Sequence, residues 1–289
     1  MSAEAPSVTL DLDSKPETLT LVRGMLAGVG ELLAIDPELL DDLKTAVSEA
    51  CNNVVLHAYP DALGPLTVVL SVWDDGIEVI VRDQGCGISD PGRPDDHQHG
   101  IGLPVIRALT ERSEFRPRPG GGTEVTMMFR ARRDGKRLFE LPAEPARDEG
   151  WDGRLDGDAV VSVSPVVLLS GVLGRLARAL AASARFSLDR FSDVYLVTDA
   201  IAAHAATAAS GKRIAFSIKA SERRIEIAAG PFHLGSATEL SGDAEAGGPR
   251  SPLSLLSDEL AVDPIDGAEL LRVVMIDHRR WASIIDTVN

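Results

Sequence analysis

Glu49, Asn53 and His57 follow one another at intervals of four in the stretch SEACNNVVLHAY. On a helix all three project along one stripe, while Val47, Val54, Val55 and Ala58 supply an apolar face. A carboxylate one turn from a carboxamide suits a hydrated magnesium ion. The amide oxygen ligates the metal, and the carboxylate takes a proton from an attacking hydroxyl or water. A solvated polar helix face has the same residue types, so the spacing by itself leaves both readings open. Asn52 lies about 100° round the helix from Asn53 and reads as a neighbouring or surface polar residue. His57 falls at the helix end, where an imidazole stabilises terminal carbonyls. Cys51 reads as core and Cys86 as an incidental turn residue.

Three further segments add chemistry. VRDQGCGI ends an alternating run with Asp83 and turns through Gly85 and Gly87, so a carboxylate can face a pocket while backbone approaches a flat ligand. HQHGIGLPVI sets Gly100 and Gly102 directly before a helical pattern that opens with Leu103, and free N–H groups at a helix start favour phosphate. GGGTEVTMMF begins a strand with Thr123, whose hydroxyl could hydrogen-bond near a base.

The elements that must position these groups are legible from periodicity. SVTLDL alternates as a strand, and ETLTLVRGMLAGVGELLA is a long helical pattern. Asp36 and Pro37 then mark the start of the helix that carries Glu49. LTVVLSVW and GIEVIVRDQG form a hairpin about the turn DDG; a glycine- and proline-rich loop, a helix over GLPVIRALTERS and a strand over TEVTMMFRAR complete the unit. This order predicts an α+β sandwich with helices on one face of a sheet, over residues 1–132. Residues 133–158 are charged, carry Pro142, Pro145, Gly150, Gly153 and Gly157, and read as a linker.

Residues 159–289 repeat the phrasing. AVVSVSP, VLLSGVLGRLARALAASA and SLDRFSDVYLVTDAIAAHAATAA read as strand, helix and helix, with Leu196–Asp199 placed about 150 residues after Ala46–Glu49. A hairpin over RIAFSIKA and RRIEIAAG, a helix over SPLSLLSDEL and a strand over GAELLRVVMIDH follow. In this second half Asp199 stands for the glutamate and Ala203 for the asparagine, no aspartate follows the hairpin, and no Gly-x-Gly precedes the last helix. The site is therefore expected in the first half alone.

The chain has 289 residues, 44% apolar and 25% charged, with a net charge of −15, as expected of a globular protein. An acidic surface without a basic stripe argues against direct nucleic-acid binding. The apolar run AVVSVSPVVLLSGVLGRLARALAA is interrupted by Pro165, Arg175 and Arg178, which favours a strand followed by a core-facing helix over a membrane span. Two cysteines and an N-terminus without a basic-then-apolar pattern point to the cytoplasm.

Over residues 7 to 131 the chain resembles the GHKL (Bergerat-fold) ATPases and is most similar to the anti-sigma-factor serine/threonine kinases, chiefly through AVSEACNNVVLHAY. The resemblance implies a two-layer sandwich of helices on a mixed sheet, present here as a tandem repeat with a degenerate second copy. It makes Glu49 the general base and Asn53 the magnesium ligand. Asp83 would accept a hydrogen bond from the adenine amino group, with Gly85 and Gly87 shaping the base pocket. Gly100, Gly102 and Leu103 would lie at the phosphates and Thr123 beside adenine. The lid SDPGRPDDHQH is short, as in the kinases, but carries His97 and His99 where they often have arginine or serine, leaving Arg93 as the candidate phosphate contact. The activity implied is phosphoryl transfer from ATP with Mg2+ to a serine or threonine of an antagonist protein, coupled to sequestration of a sigma factor. The alternative is a nucleotide-responsive binding protein that phosphorylates nothing. Such kinases commonly work as homodimers, so the chain is expected to form a homodimer or, with its second half in the second protomer's place, a pseudo-dimer in cis; the rival reading makes the second half a separate sensor or partner-docking module.

Overall fold

The computed structural model describes residues 6–73, 76–87, 102–130, 155–242 and 251–278. Its strands are β1 (Ser7–Asp13), β2 (Pro65–Trp73), β3 (Gly76–Asp83), β4 (Arg112–Pro117), β5 (Thr123–Arg130), β6 (Ala159–Ser164), β7 (Ile214–Ser221), β8 (Arg224–His233), β9 (Glu259–Ile265) and β10 (Ala268–Ile276). Its helices are α1 (Thr18–Leu32), α2 (Pro37–Asn53), α3 (Gly102–Leu109), α4 (Leu169–Ser183), α5 (Leu188–Ala208), α6 (Ser236–Ser241) and α7 (Pro252–Leu256). The start of α2 is where the sequence puts it: the Asp36 carboxylate accepts from Glu38 N at 3.1 Å and Leu39 N at 3.2 Å, with Pro37 in the first turn.

All ten strands form one sheet in the order β4-β5-β3-β2-β1-β6-β7-β8-β10-β9. The order reads alike outward from the β1–β6 junction, where Ser7–Leu12 pair antiparallel with Ser164–Ala159. Every pairing between the described strands is antiparallel, which corrects the mixed pairing that the resemblance implied. The physical reason is the β4–β5 hairpin: β5 returns between β3 and β4, so those two run the same way without being neighbours. Alternation along β2 buries Leu66, Val68, Leu70 and Val72 on the helix side.

Other expectations shift at boundaries. The helix expected over GLPVIRALTERS ends at Leu109, and its last residues enter β4, the edge strand that sequence reading missed. Likewise the helix expected over SPLSLLSDEL ends at Leu256, and its last two residues, Glu259 and Leu260, open β9. Both are short strands at the sheet edges, and β4 has Phe115 as its one large apolar residue, so neither stands out from its surroundings as a strand. Of the expected linker, only residues 155–158 are described. There Asp158 accepts Ala220 N at 2.8 Å and Lys15 Nζ at 3.0 Å, and Asp13 holds the other side of the same ammonium at 3.3 Å.

The helices cover one face, with α1 packed against both α2 and α4, and α4 against α5. The main hydrophobic core continues from Val8 in β1 to Met275 in β10, and Ala228, Ile265 and Leu270 form a small second cluster. Met25, Leu26, Leu173 and Leu176 are fully buried at the α1–α4 contact, and each such side chain contributes about 1.5–3 kcal/mol. The run Val166–Ser183 is apolar enough, at a mean hydropathy of 1.5, to pass a length-and-composition test for a membrane span. In this fold it is mainly α4, whose Val172, Leu173, Leu176, Ala177 and Leu180 are buried in the shared core, as the strand-then-core-helix reading expects.

The α1–α4 crossing is closed by Gly28 and Gly171. A Cβ on Gly28 would overlap the Gly171 carbonyl, and one on Gly171 would lie 2.6 Å from Gly28 O. Alanine in a helix interior normally gains about 0.5–1 kcal/mol over glycine. Here Gly28→Ala is expected to lose roughly 1–2 kcal/mol net, because overpacking outweighs that gain; urea denaturation reads the sign.

In the second half, buried Glu269 accepts from Ala237 N at 2.8 Å, Thr238 N at 3.3 Å and Thr238 Oγ1 at 3.0 Å, at the start of α6. Burial alone would raise its carboxyl, but these donors outweigh burial and hold it below the usual range. A carboxyl lowered by folding stabilises fully above its unfolded value, about 4.3, and that contribution fades as pH falls through the folded value. Glu269→Gln should thus lower stability at neutral pH and flatten the acid limb below about pH 4.3, measured by denaturant midpoints at stepped pH.

Candidate functional site

Helix α2 does not stop at Asn53. It continues as one π-helical turn over Val54–Ala58, a local widening that delivers the chain to Tyr59. Glu49 and Asn53 remain on one side of it, both half-buried. A Cβ on Gly102 would sit 3.1 Å from Glu49 Oε2 and 3.4 Å from Asn53 Oδ1. The carboxylate and the amide oxygen thus converge on the first residue of α3. Unpaired backbone N–H groups and the positive dipole end at such a turn favour an anion. Glycine at this position leaves the space open in front of both oxygens.

Asp83 is the last residue of β3, buried and opposite Leu66 of β2. Its Oδ1 accepts from Gly85 N at 2.8 Å, its Oδ2 from Thr123 N at 3.2 Å, and its carbonyl from Arg118 Nη1 at 2.9 Å. Each carboxylate oxygen has a second lone pair for a further donor. Gly85 has no room for a side chain: a Cβ would overlap the Ala58 carbonyl, which itself accepts from Cys86 N at 3.0 Å. Gly87 completes the turn at φ +77°. Asp83, Asn53, Gly87, Leu103 and Thr123 line one cavity, walled by Ala50, Val54, Ala58, Phe115 and Val125 with His57 at its side. A largely apolar cavity with a fixed carboxylate in its lining suits a flat heteroaromatic ring bearing an amino group.

The structure therefore brings together eight of the residues singled out from sequence: Glu49, Asn53, Asp83, Gly85, Gly87, Gly102, Leu103 and Thr123. Gly100 and Arg93, with His97 and His99, lie outside the described residues. Thr123 meets Asp83 through its backbone N–H. His57 is exposed in the π turn yet also lines the cavity. Cys51 is fully buried, and burial pushes its thiol up to about 12. Cys86 is exposed and its thiol donates to His57 O at 3.3 Å.

Sequence reading missed Phe115, Arg118 and Tyr59. Phe115 was hidden because the helix expected over GLPVIRALTERS stops at Ser113 and no element is read over the residues that follow, although Ser113 and Phe115 between charged residues carry the period of a strand. Among the described residues there is no group of three or more His, Cys, Asp or Glu that could hold a metal by themselves. A cation here would depend on few protein ligands, with phosphate and water completing its shell.

Among the described residues of the second half, the positions matching the site are exposed or filled. Asp199 and Ala203 are exposed on α5. Strand β8 runs on through Pro231 to His233, and buried Phe232 packs against the His204 ring, with centroids 5.7 Å apart. The nearby helix start, that of α6, already has an anion, the Glu269 carboxylate.

The histidine kinase-like ATPase domain profile matches residues 12–129. Serine-protein kinase RsbW of Bacillus mycoides is 28% identical over 124 residues, which cover 38% of this chain and 78% of the relative. RsbW of Bacillus cereus is 30% identical over 117 residues, 36% of this chain and 73% of the relative. A crystal structure of the RsbU and RsbW domains of a Mycobacterium tuberculosis protein aligns at 24% identity and a TM-score of 0.35, covering 44% of this chain and 32% of that one, too slight a likeness to argue from. The profile's span holds all eight converging residues and ends before β6, so it is through its first half that this chain belongs to the GHKL, histidine kinase-like ATPase family, alongside the RsbW serine-protein kinases.

Proposed function

We propose that the protein is an ATP-dependent serine/threonine kinase of the anti-sigma-factor type, acting in partner switching in the cytoplasm. The observation that carries this reading is one cavity lined by both Asp83 and Asn53, with Glu49 and Asn53 facing the first residue of α3. Asp83 would take the adenine amino group, the walls would hold the ring, and the start of α3 would face the phosphates. Glu49 would accept the proton of the incoming serine or threonine hydroxyl. Gly100 and Arg93 are assigned to the phosphate side by resemblance.

A magnesium ion fits the donor set: a carboxylate and an amide oxygen aimed at one space are hard ligands. Asn53 would hold it, and when bound it neutralises charge on the transferring phosphoryl group. The relatives' name, serine-protein kinase, supports the reaction class. A sigma factor and its antagonist protein are the proposed partners.

We further propose that residues 1–132 form the nucleotide-binding unit, 133–158 a linker, and 159–289 a degenerate copy that occupies a second protomer's place in cis. The outward-symmetric strand order supports this reading, because β6 covers the β1 edge that a second copy would otherwise take. A monomeric mass in solution by light scattering is the expected result; a dimer pairing through β1 would refute it.

The kinase reading is tested on the full chain with labelled ATP and co-purified partners. Glu49→Gln should keep nucleotide affinity and lower kcat about 10²- to 10⁴-fold. Asp83→Ala should instead weaken nucleotide binding by about 1.5–3 kcal/mol, the value of a hydrogen bond to a charged group. Nucleotide binding without transfer of label to any protein would favour the binding-protein alternative.

A further inference from the structure

Tyr59 stands directly after the π turn and has no role in the reading above. Its ring fills the notch over Gly64, where any Cβ would overlap it. Its hydroxyl donates to Pro65 O at 2.6 Å, at the start of β2, and accepts from Gln84 N at 2.7 Å, just past the end of β3. These bonds fix the residue between Asp83 and Gly85. Gly85 N in turn holds Asp83 Oδ1. The staple crosses the end of the β2–β3 ladder, where Leu66 pairs with Asp83.

We propose that Tyr59 is the positioning residue of the base-reading carboxylate: its hydroxyl fixes the Gln84 peptide so that Gly85 N–H takes one lone pair of Asp83 Oδ1 and leaves another aimed into the cavity. The inference rests on the nucleotide reading of this site. Tyr59 touches no ligand itself and acts through the turn. Both of its bonds require a neutral phenol, which donates and accepts at once. Burial, reinforced by the Asp83 charge, raises the phenol above its ordinary value against the opposing effects of the Gln84 donor and Arg118, so it stays neutral at physiological pH. Without the hydroxyl, Gln84 N–H turns to water and the turn gains freedom at the atom that orients Asp83.

The test is calorimetric binding of ADP and of inosine diphosphate, which lacks the exocyclic amino group, to the full chain and to Tyr59→Phe. Phenylalanine keeps the ring over Gly64. The wild-type chain is expected to prefer ADP, and Tyr59→Phe to lose about two- to tenfold in ADP affinity, the usual range for one hydrogen bond, with inosine diphosphate affinity unchanged. A variant that keeps the full preference overturns the inference while the nucleotide reading stands. Equal weakening of both ligands overturns it too, since that is what a general loosening of the fold gives. A wild-type chain that binds neither nucleotide overturns the reading beneath it. In the kinase assay the same variant should raise KM for ATP and leave kcat unchanged.

Discussion

One backbone contact holds the candidate site together: Cys86 N donates to Ala58 O at 3.0 Å, with Gly85 pressed against the same carbonyl. It ties the end of the helix bearing Glu49 and Asn53 to the turn that follows Asp83. Those residues come from different elements, 30 positions or more apart in sequence, and this junction, with the Tyr59 hydroxyl on Gln84 N beside it, brings them to a common cavity. The π turn over Val54–Ala58 is part of the same constraint, since it presents the Ala58 carbonyl to the turn while Val54 and Ala58 stay buried. Glycine at position 85 follows from sterics, because the carbonyl occupies the space of a side chain.

The sheet explains why so small a junction is dependable. Strand β3 lies between β2 and β5 and is paired along its whole length, so Asp83 is fixed at the end of a rigid ladder. Helix α2 is capped at Asp36 and packed on α1 and α3. The junction of the halves adds further rigidity. The β1–β6 pairing, the Gly28–Gly171 crossing and the Arg175–Glu31 and Lys15–Asp158 ion pairs make one core of what the sequence phrases twice. The part-exposed ion pairs add little by themselves; burial of apolar side chains on α1 and α4 contributes more.

The two halves share an element order and differ in chemistry for visible reasons. In the first, a helix start faces open space beside two side-chain oxygens. In the second, Glu269 satisfies the start of α6 from within, and Phe232 with His204 fills the neighbourhood after β8. A buried carboxylate with three donors has no further need of a ligand. Among the described residues, the second half thus fills the matching neighbourhood with its own side chains.

Much of this was legible in the residues themselves. The spacing of Glu49, Asn53 and His57, the glycines after Asp83 and before Leu103, and the alternation of β2 and β3 are local patterns, and local sterics and periodicity alone determine what they form. The short edge strands β4 and β9 escaped because each directly follows a helical pattern and carries few large apolar residues, and with β4 went Phe115 of the cavity wall. Only the tertiary structure decided that β1 pairs with β6, that both halves share one core, and that Tyr59 reaches two strands at once. Those are contacts between residues far apart along the chain, where complementarity of shape and hydrogen bonding settles the outcome and no local pattern records it.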